Sequence, residues 1–237
     1  MKNIEAGEQN YDFLPEKLKR KNPQYIDIFI KALKLSAEGR WWDIWHVEVS
    51  TANMLQMLEE EGQNALGAVL IPAIIMHDIG WSRVGEERDF NWDDPNLRMK
   101  HMAEGAKLAE SILNDIGYPS EYIPEIIELI AHHDDEYLGK PSVTLKEKIL
   151  RDADASFILS YPSFWKDWYI KGRPNGITPK KYLEVKKSKH GKRYTKTAQS
   201  IIDKQISSRM KEVDSDIDPE NRVREIKEIA EGKKRSI

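Results

Sequence analysis

IIMHDIGW, residues 74–81, sets a histidine and an aspartate side by side at the end of an apolar run. Ile74, Ile75 and Met76 read as the end of a buried segment, and a polar pair there is costly unless it is hydrogen-bonded, ion-paired or ligated. The plain alternative for Asp78 is a turn aspartate ahead of Gly80. The choice depends on whether other segments aim complementary side chains at the same point.

Outward from this stretch, apolar residues recur at helical rather than alternating spacing. Ile26, Ile28, Phe29, Ile30, Leu33 and Leu35 form one early segment, and Val49, Met54, Leu55, Met57 and Leu58 the next. A buried segment follows at about Ala65–Asp78, then amphipathic ones at about Arg98–Asn114 and Pro124–Asp134, and a further helix at about Thr144–Leu159. SYPSFWKDWYIKGRPNGITP, residues 160–179, reads as a long loop able to close over a substrate. YTKTAQSIIDKQISSRMKEV, residues 194–213, reads as one more helix. The prediction is an all-α bundle. Residues 1–210 form a single domain with its motif-bearing core at about 38–160, and residues 211–237 form a charged C-terminal helix or tail.

The chain has 237 residues, 37 basic and 40 acidic, with a formal net charge of −3, which argues against bulk electrostatic binding of nucleic acid. It has no cysteine, so any metal must be held by His, Asp or Glu. The first residues have no leader-like apolar core, and no uncharged apolar run has the length of a membrane span, so the expectation is a soluble, cytoplasmic protein without a membrane partner. The oligomeric state is not legible.

Six histidines are present, and four of them fall on apolar stripes of separate helices. His46 shares a face with Val49, Asn53 and Met57, and His77 shares one with Leu70 and Ile74. His101 lies with Gly105, Leu108 and Ile112, and His133 continues Ile126 and Ile130. One inward histidine is ordinarily a hydrogen-bonded core residue; four together suggest a metal in the bundle interior. For a later carboxylate, Asp154 shares a face with Leu150, Phe157 and Ile158. Asp152 points about 200° away around the same helix, which makes it the solvated residue of the two.

The ordered set His46, His77–Asp78, Asp154 resembles the H…HD…D pattern of the HD-domain superfamily, helical metal-dependent phosphohydrolases. The Ala153–Asp154–x–x–Phe157 context, the phrase HMAEGAKLAESIL at 101–113 and IIELIAHHDDEY at 126–137 are similar to helices of that family. The resemblance implies an HD-type bundle with one or two divalent ions (Mn, Fe, Mg, Ni, Co or Zn). His46, His77, Asp78 and Asp154 would hold the first ion, and Asp78 would bridge to a second held by His101 and by His132, His133 or both; the stripe favours His133. His77 and Asp78 would carry the catalysis, a metal-activated water attacking phosphorus in a small phosphorylated compound, with a nucleotide as the first candidate. Arg83, Lys100 and Arg151 are the nearest cations in sequence that could orient the phosphate, and Glu48 and Asp135 are weaker candidates for ligand support or proton transfer. Trp41, Trp42, Trp45 and Trp81 read as a hydrophobic rim rather than a base-stacking platform. The same donor order also suits a di-iron oxygenase of the kind found among relatives of this superfamily, and a non-catalytic ligand-binding module is the third reading.

Overall fold

A computed structural model describes residues 11–40, 42–85, 94–190, 192–215 and 218–236. It is 78% helical, and no strand occurs among the described residues. The helices are α1 (Leu14–Lys21), α2 (Pro23–Glu38), α3 (Asp43–Glu60), α4 (Gly67–Met76), α5 (Pro95–Asp115), α6 (Ile123–His132), α7 (Leu145–Ala155), α8 (Tyr161–Asp167), α9 (Pro179–His190), α10 (Lys196–Val213) and α11 (Pro219–Ser236).

The apolar run that precedes His77 becomes α4, buried from Val69 to Met76 and packed against α2, α3, α6 and α7. A helix apolar on every side has to sit in the middle of a bundle. Joined to the tight turns on either side it makes a helical run, Asn64–Arg83, long and apolar enough in composition to cross a membrane; it carries Asp78 and Arg83, so it is not an uncharged run of the kind the sequence was expected to lack. Of its most apolar window 78% is buried inside the protein, and the run is the core helix of the fold.

Helix starts follow local chemistry. Asn22 caps α2 through the Gln24 amide, Asp94 caps α5 through that of Asn96, and Thr144 with Glu147 forms a reciprocal capping box on α7. Asp152 corrects the reading that made it a solvated residue. It is 1% exposed and accepts from the backbone amides of Tyr194 (3.1 Å) and Thr195 (2.6 Å), so it anchors the start of α10 to α7. Glu61 at the end of α3 accepts from the Thr197 amide at 2.7 Å, which puts a second carboxylate at the same positive helix end.

Residues 160–179 are not a loop. Ser160 and Pro162 open α8, a π-helical turn continues through Trp168–Gly172, and a 3₁₀ turn at Arg173–Asn175 leads to α9. At the other end of the chain, α11 buries Val223, Ile226 and Ala230 against α3 and α8.

Candidate metal centre

Five segments converge. α3 carries His46, the end of α4 carries His77 and Asp78, α5 carries His101, the end of α6 carries His133 and Asp134, and α7 carries Asp154. The register between His77–Asp78 and His101 is set by glycine. A Cβ on Gly80 would stand 1.9 Å from the His101 carbonyl oxygen and 2.6 Å from the Gly105 nitrogen, so the turn Ile79–Arg83 meets α5 backbone against backbone. That approach brings His101 Nε2 to 3.4 Å from Asp78 Oδ1.

The tautomers follow from the partners. His77 Nδ1 lies 2.8 Å from the Ile74 carbonyl and His133 Nδ1 lies 2.8 Å from the Ile130 carbonyl. A carbonyl only accepts, so both Nδ1 atoms carry the proton and both Nε2 atoms present a lone pair in the neutral ring. Those lone pairs face other acceptors. His77 Nε2 is 3.2 Å from His46 Nε2 and 3.5 Å from Asp154 Oδ1; His133 Nε2 is 3.2 Å from His101 Nε2 and 3.3 Å from Asp78 Oδ1. Such an arrangement repels itself unless a cation or extra protons sit among the atoms. The donors are imidazole and carboxylate, the set that suits divalent ions of this kind, and they form three overlapping groups: His46, His77 and Asp154; His77, Asp78 and His133; His101, His133 and Asp134. The residues present therefore fit a metal.

Asp78 joins the two ends. Its Oδ2 is 3.2 Å from His46 Nδ1, while its Oδ1 faces His101 and His133. Burial would raise the Asp78 and Asp154 carboxyls, but the surrounding imidazoles hold both well below the usual carboxylate range. Burial would lower His77, yet Asp78 and Asp154 outweigh it and push the ring up to about 9. His133 is raised against its burial by Asp134 and Asp78, whereas burial keeps His101 low. Metal binding to such a cluster competes with protons for the same lone pairs.

Further side chains hold the donors. Arg40 is buried, donates to Asp78 Oδ2 at 3.1 Å and to Asp43 Oδ1 at 2.9 Å, and lies 4.1 Å from the Trp81 ring. Trp81 donates its indole N–H to Asp78 Oδ1 at 3.1 Å and stacks on His101 at 4.1 Å. Arg151 donates to Asp154 Oδ2 at 3.0 Å, Arg98 pairs with Asp134, and Phe157 stacks on His46 at 4.4 Å. Charged partners of this kind fix ligand orientation.

Over these donors lies a cavity of about 140 Å³ lined by His46, Asp78, Asp134 and Asp154, by Arg40, Arg98, Trp42, Trp81 and Phe157, and by Ser163, Lys166, Asp167, Lys171, Lys186 and Lys189. Lys166 is 4% exposed, its ammonium 4.3 Å from the Trp42 ring, and burial pushes it down to about 7. Although burial acts to raise it, Asp167 is drawn down to about 2 by Lys186 and its neighbours.

Of the residues singled out in the sequence, His46, His77, Asp78, His101, His133 and Asp154 come together. His132 does not: its side chain is 48% exposed and pairs with Asp135 at 3.0 Å, since adjacent helical residues point about 100° apart. Asp135 is thereby tied to His132 and Lys140, and Glu48 lies near Tyr11, where it helps to raise that hydroxyl. Arg83 and Lys100 are exposed and line no part of the cavity; Arg151 braces Asp154 instead of lining the cavity itself. Trp42 and Trp81 line the cavity and Trp45 packs in the core, while Trp41 is outside the described residues. Arg40, Asp134, Arg98 and Lys166 escaped the sequence reading. The one available signal was the doubled acid in HHDD, whose first member faces inward.

Residues 49–156 match the family model described as HD domain. This segment is an HD domain. HD domains bind divalent metals and are mostly metal-dependent hydrolases. The match takes in His77, Asp78, His101, His133, Asp134 and Asp154, and it begins just after His46; α8 and α9 lie beyond it. No curated protein and no solved structure matches the sequence.

Proposed function

We propose that the protein is a metal-dependent phosphohydrolase that cleaves a small phosphorylated compound with water. The observation that carries this reading is a buried imidazole–carboxylate cluster opening on a cavity that four lysines also line. His46, His77 and Asp154 would hold one divalent ion, and His101 and His133, with Asp134 beside them, a second, with Asp78 reaching both. Divalent ions in such a site make water acidic enough to attack near neutral pH and draw charge from a phosphoryl oxygen.

The chain's own residues do the remainder. Arg40 and Arg98 border the cavity at the cluster, and a phosphoryl group entering there meets their guanidinium groups while they also hold Asp78 and Asp134. Trp42, Trp81 and Phe157 wall the cavity with apolar surface, which limits bulk water and strengthens each charge interaction inside. A 150 Å³ cavity holds a benzene-sized molecule. The cavity of about 140 Å³ is open to solvent on part of its boundary, which suits a small compound, and a nucleotide would place its phosphates inside and its base outside.

Metal analysis of the purified protein, followed by phosphomonoesters, phosphodiesters, pyrophosphates and nucleotides assayed under each metal, tests the reading. Release of phosphate that depends on the metal and disappears in His77→Ala supports it; a metal-loaded protein that hydrolyses none of these compounds counts against it. One observation favours a second reading. With His132 on the surface and Asp134 set aside as Arg98's partner, four histidines with Asp78 and Asp154 remain, the donor count of the two-iron oxygenases related to this superfamily. Iron content, a mixed-valence spectroscopic signal and oxygen consumption identify that chemistry.

A further inference from the structure

The ring of Tyr137 is unlike the other aromatic rings on the cavity. Trp42, Trp81 and Phe157 are buried, whereas Tyr137 is 41% exposed, so little of the core depends on it. Its place is set by the turn that ends α6. There the Asp134 carbonyl accepts from the Tyr137 amide at 2.9 Å, and Gly139, at φ +82°, closes the turn in the left-handed region that glycine enters freely. The residue whose carboxylate lies 3.6 Å from His101 Nε2 thereby also places this ring.

Two guanidinium groups meet on Tyr137. The Arg98 Cζ lies 4.0 Å from the ring centre and the Arg151 Cζ 4.5 Å. Two cations at one ring repel each other, and the ring's negative faces and the nearby carboxylates have to offset that repulsion. An aromatic ring takes the flat face of a guanidinium and leaves its in-plane N–H donors for carboxylates. Both arginines use those donors on the metal centre. Arg98 pairs with Asp134, while Arg151 donates to Asp154 Oδ2 at 3.0 Å and, through Nε, to Glu136 at 3.1 Å. Asp134 belongs to the donor group of His101 and His133, and Asp154 to that of His46 and His77. A single ring therefore stands behind a carboxylate at each end of the cluster.

We propose that Tyr137 is a positioning residue for both ends of the metal centre: its ring holds Arg98 and Arg151, and through them it fixes the Asp134 and Asp154 carboxylates. It is a second link between the two ends, alongside Asp78. The inference rests on the two-metal reading of the cluster and not on the reaction catalysed.

Competition between the full chain and a fluorescent chelator for Mn²⁺ reads the two dissociation constants with no turnover required. In Tyr137→Leu, which keeps bulk and removes the π face, both constants are expected to rise about tenfold, while Tyr137→Phe keeps both within about twofold of the parent. Arg151→Met raises one constant and so marks the ion held with Asp154. In Tyr137→Leu Arg151→Met that constant rises no further than in Arg151→Met alone, and the other rises as in Tyr137→Leu. A ring that merely supported the fold would instead add its loss to that of Arg151→Met. Tyr137→Met carries the same expectation as the leucine variant and replaces it should that one melt early. Unchanged constants in Tyr137→Leu, a loss confined to one ion, additive losses in the double variant, or a phenylalanine variant as weak as the leucine one overturns the inference and leaves the metal reading standing. A parent that binds one ion overturns the inference and leaves a one-metal hydrolase; a parent that binds none overturns both.

Discussion

The two sets of charged side chains that line the cavity solve opposite problems. The metal side gathers lone pairs and carboxylates that repel one another, and the lysine side gathers ammonium groups that do the same. On the metal side each donor is fixed by a neighbour: a backbone carbonyl behind His77 and His133, Arg40 on Asp78, Arg151 on Asp154. The lysine side has Asp167 as its shared partner and aromatic faces for support. The difference teaches that the metal side is organised before anything binds, as coordination geometry demands, whereas the lysine side is balanced collectively around Asp167.

Substitutions on the metal side should therefore be severe and those on the lysine side graded. Asp78→Ala has the largest expected effect, loss of bound metal and of turnover together, because it removes the shared carboxylate and leaves Arg40 buried without that partner. Elemental analysis beside the phosphate-release assay checks it, and retained metal would break the contrast. Gly80→Ala comes next. The clash with the His101 carbonyl forces the turn away from α5, with a cost of about 3 kcal/mol read from denaturant unfolding and a fall in metal stoichiometry.

Arg151→Met removes a brace without removing a donor, and metal affinity measured by competition with a chelator should fall about tenfold. Lys166→Met sharpens the contrast by its sign. The folded protein holds Lys166 near 7 against an ordinary 10.5, so the unfolded chain binds more protons between those values. The penalty of the buried charge is complete below about pH 7 and fades as pH rises toward 10.5. The variant should accordingly melt several degrees higher than the parent at neutral pH, with the gap closing in alkali. His132→Ala is the smallest, with metal stoichiometry and affinity unchanged within twofold, since its ring lies on the surface.

Much of this was legible beforehand because helical periodicity carries direction. The stripes of His46, His77, His101, His133 and Asp154 point to a common interior, and the 100° step separates His133 from His132 without coordinates. What was not legible depends on contacts distant in sequence. Asp152 looked solvated because the start of α10, its partner, lies about forty residues on. α9 has a weakly segregated, lysine-rich sequence and α8 an aromatic one with proline, and neither announces a helix by spacing. Arg40 precedes α3 rather than lying on a helical stripe, so no periodicity flags it.

The meeting of Gly80 with the main chain of α5 has one more consequence. It acts as a gauge block between the two ends of the donor set: their separation is a main-chain dimension, independent of how any rotamer settles. Substitutions in the surrounding apolar interior can soften the molecule and still leave that span intact, whereas one added methyl at this crossing alters the span directly.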